Sequence, residues 1–336
     1  MIRGAFAWTI GIFLIIGNAA FSLAQDQGVR EITQVTGNLY RARAGNAFTV
    51  FVVTPEGIIL SDPISTDYAK WLKSEFAQRF SLPVKYVLYT HHHWDHASGG
   101  AVFADTAEFV GHKTMPGILA MPPADTPLSA NAAQQDSDGD GQVAESEAQG
   151  DLKARFRLYD ANGDGKLSGA EIKRGPLSEV YPPQTLYSDR KTVSLGGKTV
   201  EMLYVGTEAE DMSLLRFPEE KAIFLVDFIS LKRAPYRTLP GIDLDDLFSK
   251  IRMVESLDFD IAIGGHGSIG NKSDVTAFGR YLEELRAAVA EGIAAEKTLA
   301  ELQKSITMDK YREWENYEAW RAENVEGMYM RLAKKP

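Results

Sequence analysis

The segment His91-His92-His93-Trp94-Asp95-His96 gathers four of the chain's six histidines and one aspartate. Imidazole nitrogen and carboxylate oxygen are joint donors to transition metals, so this spacing offers metal-ion chemistry. In extended chain His91, His93 and Asp95 face one way and His92 the other. His96, at the turn that follows, reaches a second point nearby, and two offset donor sets predict two adjacent metals. A solvated polar loop is the plainer alternative. The run Val84-Lys85-Tyr86-Val87-Leu88-Tyr89-Thr90 argues against it, because a buried strand after Pro83 delivers the cluster at its C-terminal end.

The flanking sequence supplies the frame. Residues 48–53, 58–60, 107–111, 192–195, 199–205, 213–217 and 222–226 read as strands, and residues 68–80 as a helix. Residues 275–332 are largely helical, with Trp314, Tyr317, Trp320 and Tyr329 near helical spacing as core or interface. Interleaved strands and helices predict an α/β layered protein.

The net charge of −10 argues against a general nucleic-acid or anionic-membrane binder. Zero cysteine excludes disulfides, thiolate metal sites and thiol nucleophiles, so any metal must be held by nitrogen and oxygen. Residues 1–24 read as a signal peptide: a basic start, an apolar run, then Ser22 and Ala24 before a cut at Gln25. An uncleaved anchor is the alternative. Either way the expectation is a periplasmic or secreted protein.

Residues 122–183 differ in character. Across residues 121–180 there are 11 Asp/Glu against 6 Lys/Arg, a net of −5, which two calcium ions would nearly cancel. Two twelve-residue loops, 136–147 and 160–171, resemble EF-hands at every diagnostic position. The first offers Asp136, Asp138, Asp140, the Gln142 carbonyl and Glu147. The second offers Asp160, Asn162, Asp164, the Lys166 carbonyl and Glu171. The resemblance implies two bound Ca2+, in a structural staple rather than a switch. One helix over residues 145–158, interrupted at Gly150, is expected to serve both loops, with Arg155, Phe156 and Leu158 packed between them.

Residues 90–96, followed by Ala97-Ser98-Gly99-Gly100, resemble the H-x-H-x-D-H signature of the metallo-β-lactamase superfamily. The resemblance extends over most of the chain outside the insert. It implies an αββα sandwich, residues 29–121 with 184–336, interrupted by the calcium module. Thioesterases of the glyoxalase II type, lactonases, sulfatases and β-lactamases share that fold, with metals at one edge of two sheets. The resemblance implies one metal at His91, His93 and Glu208, a second at Asp95, His96 and His266, and Asp227 bridging. Asp62 would steady a ligand histidine from behind.

Glu208 stands where the family has histidine. Glutamate is an acceptable zinc ligand, but its charge lowers the Lewis acidity of the metal and favours harder ions. Zn2+, one or two, is therefore expected, with Mn2+ or Fe as alternatives. Glu210 competes for the same role, and a solvated face is open for both glutamates.

The implied activity is hydrolysis of a small ester, thioester, lactone or amide by a metal-held hydroxide that Asp95 orients. A β-lactamase is the nearest alternative. A catalytically degenerate, calcium-dependent binding protein is the alternative from another class. His92 is expected to pack or face solvent, and His112 to be structural. Lys232 and Arg233 are a surface charge pair or a clamp for a substrate carboxylate, and Trp94 walls the site or packs.

Overall fold

The computed structural model describes residues 29–241 and 243–333. The expected signal peptide lies outside them. Among the described residues no helix is long and apolar enough to cross a membrane.

The strands before the insert are β1 (Arg30–Thr36), β2 (Leu39–Ala44), β3 (Ala47–Thr54), β4 (Gly57–Leu60), β5 (Val84–Leu88) and β6 (Glu108–His112). The insert holds β7 (Val143–Ala144) and β8 (Lys166–Leu167). After it come β9 (Thr185–Tyr187), β10 (Arg190–Leu195), β11 (Lys198–Tyr204) and β12 (Ser213–Phe217). The last three are β13 (Ala222–Val226), β14 (Ile261–Gly264) and β15 (Ile269–Asn271).

They form two large sheets, ordered β1-β2-β3-β4-β5-β6-β9 and β10-β11-β12-β13-β14-β15. Each begins as an antiparallel meander and turns parallel where the site residues emerge, at β4-β5-β6 in one and β13-β14 in the other.

Period-two alternation decides which face goes where. Val50 and Val52 of β3 point to the core between the sheets, with Val200, Met202 and Phe224 of the second sheet. Phe51 points the other way, onto the helix Thr66–Arg79, where its ring meets Phe76 at 4.6 Å between centroids. That helix starts at Ser65, whose side chain accepts from the Tyr68 N–H, and it buries Tyr68, Ala69, Leu72 and Phe76 along one stripe. Helices Leu244–Ser256, Lys272–Ala294 and Tyr317–Leu332 contribute to the core of the second sheet. Each fully buried Phe or Leu contributes about 2–3 kcal/mol by leaving water. The result is a mixed α/β sandwich with helices on both outer faces.

The insert has its own small core of Ala132, Val143, Leu152, Phe156, Tyr159 and Leu167. Its two loops are joined by the β7–β8 pairing, Val143 opposite Leu167. The single helix expected between them is absent. Two short turns, Gly150–Ala154 and Phe156–Tyr159, replace it, because Gly150 is left-handed (φ 54) and Arg155 leaves the helical region. Phe156 does fill the space between the loops. Arg155 does not: its guanidinium lies over the Trp94 ring, 4.9 Å from the centroid.

Candidate metal centre

β5 ends at Leu88, and the chain then turns rather than continuing extended. Trp94–Ala97 is a helical turn, with His96 N bonded back to the His93 carbonyl. Strand alternation therefore does not set the direction of Asp95. The helical turn moves Asp95 to the same donor group as His96, away from His91 and His93.

The second sheet delivers the rest. Val226 closes β13 with φ 45, a left-handed value rare for a β-branched residue, and so turns Asp227 into the cleft. Gly265 packs against the Val226 backbone, where a Cβ would come within 2.9 Å of its Cα. A larger residue there would push away the loop that carries His266.

Asp227 lies between two donor groups. Its Oδ2 is 3.5 Å from His91 Nε2 and 3.9 Å from His93 Nδ1. Its Oδ1 is 3.2 Å from His96 Nε2 and 3.4 Å from His266 Nε2. His266 Nε2 is also 3.5 Å from Asp95 Oδ2, and the two Nε2 atoms of His96 and His266 are 3.1 Å apart. Tetrahedral bonds of 2.0–2.1 Å place donors about 3.3 Å from one another. The contacts of His266 with Asp95, Asp227 and His96, and of His96 with Asp227, are close to that spacing, and those of Asp227 with His91 and His93 are slightly wider. His91 Nε2 and Asp227 Oδ1 are buried without a hydrogen-bond partner, as donors aimed at a cation would be.

Tautomers are set from outside. His266 Nδ1 faces the Asn46 carbonyl at 2.9 Å, which leaves Nε2 as a lone pair in the cleft. His91 Nδ1 faces Thr90 Oγ1 at 3.0 Å. Asp62, fully buried, accepts the Thr90 hydroxyl at 2.8 Å, so Thr90 takes the His91 proton and Nε2 is again free.

The electrostatics agree. Burial pushes His91 down to about 4, a neutral imidazole ready to donate a lone pair. Burial would lower His96 also, but the Asp227 carboxylate outweighs it and raises it to about 10. Burial would raise Asp227, yet His96 and His266 hold it far below the usual carboxylate range. Burial lifts Asp62 to about 6. A field that strongly stabilises positive charge at this point suits a dication.

Glu208 is not drawn into either donor group. It stands close by, half-buried, and burial with the repulsion of Asp227 raises it to about 8. Glu210 is exposed, and its backbone carbonyl accepts from Tyr204 and Thr114. His92 lies outside the donor groups and packs against the rings of His91 and His93, partly exposed, and its Nδ1 also meets the buried Asp211 at 2.7 Å. Asp211 was not singled out by sequence, where it is one acid in a run with Glu208 and Glu210. His112 is structural, stacked 4.1 Å from the Tyr204 ring and bonded to the Ser188 carbonyl. Lys232 pairs with Asp274, and Arg233 lies over Trp320 with Glu315 at 4.0 Å.

In the insert, Asp136, Asp138 and Glu147 converge as a third donor group. The loops share one hydrogen-bond pattern. Asp136 accepts from Gly139 and Gly141 as Asp160 does from Gly163 and Gly165. Asp138 and Asn162 accept from Asp140 and Asp164, which accept in turn from Gln142 and Lys166. Glu147 and Glu171 close the loops on Ser137 and Ala161. The Lys166 ammonium also meets Asp140, tying one loop to the other.

Known proteins share this frame. The chain is similar to the 2,4-dinitroanisole O-demethylase subunit alpha of Nocardioides sp. (strain JS1661), 23% identical over 239 residues, which cover 69% of this chain and 56% of that one. In structure it resembles a metallo-beta-lactamase from Pontibacter korlensis (TM-score 0.51, 16% identity, 75% of this chain and 99% of that one). It also resembles the sec-alkylsulfatase Pisa1 from Pseudomonas sp. (TM-score 0.57, 17% identity, 91% of this chain and 50% of that one). The chain thus spans about half the length of the demethylase subunit and the sulfatase. The family model for the metallo-beta-lactamase superfamily matches residues 42–266, from β2 through the last cleft histidine, and this chain belongs to that superfamily.

Proposed function

We propose that this chain is an exported, metal-dependent hydrolase of a small substrate with an ester-type bond. The classes in view are carboxyl esters, thioesters, lactones, amides and, from the similarity to an alkylsulfatase, sulfate esters. One observation carries the reading: Asp227 presents one oxygen to each of two donor groups at metal-ligand spacing.

When bound, zinc or another dication supplies Lewis acidity and a nucleophile ionised near neutral pH. The chain's own residues do the rest. His91, His93 and Asp227 would hold one ion, with Glu208 as a further donor if its side chain turns inward. Asp95, His96, His266 and Asp227 would hold the other. Asp95 would also orient the attacking group and take its proton. Thr90 and the Asn46 carbonyl keep His91 and His266 in the donor tautomer. The loops 136–147 and 160–171 would each hold Ca2+, fixing the insert.

The test is elemental analysis joined to turnover of carboxyl ester, thioester, lactone, lactam, alkyl sulfate and aryl methyl ether substrates. The reading expects zinc, manganese or iron in the cleft and turnover of at least one class; preference for the lactam would make it a β-lactamase. A filled cleft with no turnover, together with calcium-dependent ligand binding, would mean a binding protein. The position of Glu208 outside both donor groups is what favours that second reading.

A further inference from the structure

The insert reaches the cleft. A cavity of about 380 Å3 is lined by Asp95, Trp94, Asn46, Tyr236 and, from the insert, Arg157. It continues into a cavity of about 1030 Å3, whose wall includes Asn46, Trp94, Arg157, Phe156 and Glu179. Asn46 is the residue whose carbonyl holds His266, so the shared wall abuts the metal centre. Of the segment between the two acidic loops, Asp151 and residues 153–158 line the larger cavity, and Arg157 also lines the one that reaches Asp95.

That segment is fastened to the motif it covers. Arg155 lies over Trp94, inside the histidine cluster. Glu179, just after the insert's last helix, accepts the Thr66 hydroxyl at 2.7 Å and pairs with Arg157 at 2.9 Å. Its carbonyl takes the Gly99 N–H at 2.9 Å. Arg157 itself is 80% exposed, with one carboxylate oxygen as its ion-pair partner, so most of its donors face the cavity and solvent. Arg30 and Arg43 line the same space. The acids lining the two cavities each have a partner: Asp95 a histidine, Asp67 and Glu145 a lysine each, Asp151 Arg155, and Glu179 Arg157.

We propose that the insert is the specificity wall of the site, and that Arg157 selects substrates bearing an anionic group, such as a carboxylate, remote from the scissile bond. This rests on the hydrolase reading above. A guanidinium at a wet rim discriminates by pairing with a carboxylate, and the two flanking loops set where it stands.

The experiment compares the zinc-loaded protein with Arg157→Ala and Arg157→Lys. The probes are mono-p-nitrophenyl succinate, which is anionic, and p-nitrophenyl butyrate, which is neutral. In Arg157→Ala the ratio of kcat/KM for the anionic over the neutral probe should fall about fivefold, the size of one solvent-accessible ion pair, carried by KM. Arg157→Lys should recover most of it. A ratio changed by less than about twofold overturns the assignment.

Calorimetric binding of phenylbutyrate against phenylbutanol gives a readout that needs no turnover. If neither ester is hydrolysed but phenylbutyrate binds better, and Arg157→Ala removes that preference, the hydrolase reading fails while the recognition site stands. If the esters are hydrolysed and neither assay shows a preference that depends on Arg157, the site fails while the hydrolase reading stands.

Discussion

Asp62 grips Thr90 twice, taking its backbone N–H on Oδ1 at 2.9 Å and its hydroxyl on Oδ2 at 2.8 Å. The hydroxyl proton is thereby committed, and Thr90 acts on His91 as an acceptor. Thr90→Val keeps the shape and removes the acceptor. Zinc affinity, measured by competition with a chromophoric chelator, should fall about 10–100-fold. Undiminished affinity would show that the His91 tautomer is set elsewhere.

Asp227 and Glu208 should part company in a metal assay. Asp227→Ala removes the carboxylate facing both donor groups and should lose both ions. Glu208→Ala should cost at most one, since His91, His93 and Asp227 converge without it. Full stoichiometry after Glu208→Ala would strike Glu208 from the ligand set.

The first acidic loop should open in acid. The Ser137 hydroxyl, then the Ala144 and Ser137 N–H groups, hold Glu147 below its ordinary 4.5, at about 2. A depressed carboxyl stabilises the fold fully above its unfolded value and loses that contribution as pH falls through the folded one. In calcium-free protein the Ser137 and Ala144 amide shifts should therefore move together between pH 4.5 and about 2. Movement centred near 4.5 would mean that the closure adds nothing.

Asn324 should be costly to truncate. It is fully buried, donates to the Pro235 carbonyl at 2.8 Å and the Arg237 carbonyl at 2.6 Å, and accepts from Tyr281 at 2.7 Å. These bonds hold a loop in which Lys232, Arg237 and Leu239 all have positive φ. Asn324→Ala leaves those partners unsatisfied and should lower urea stability by about 3 kcal/mol. A loss below about 1 kcal/mol would show that water or neighbouring groups replace the side chain.

What was legible in the sequence follows from how locally each feature is written. Strand β3 is specified by a short, nearly continuous apolar and β-branched run and the helix Thr66–Arg79 by a stripe, so each was visible from its own residues. The histidine cluster was visible too, because its donors are adjacent. Its geometry was not written in the strand pattern: extended chain puts Asp95 beside His91, and it was the family resemblance that grouped it with His96 and His266, where one helical turn at Trp94 brings it. The pairing of His92 with Asp211, and of Asn324 with the loop at Pro235, joins residues 119 and 89 apart. Nothing local announces a partner at that distance. The break at Arg155 was hidden for a similar reason, since its guanidinium sits on Trp94 outside the insert.

The two sheets divide the donors between them. His91, His93, Asp95 and His96 follow the C-terminal end of β5 in one, while Asp227 and His266 follow the C-terminal ends of β13 and β14 in the other. An ion in the cleft is thus a rivet through both layers, and its binding free energy is also a sheet-docking free energy. At a hundredfold excess over its Kd, one ion adds about 2.7 kcal/mol to the closed sandwich. The metal dissociation constant becomes a strain gauge for the interface. A substitution such as Val52→Ala, between the layers, would be read first in how tightly the cleft keeps its ions.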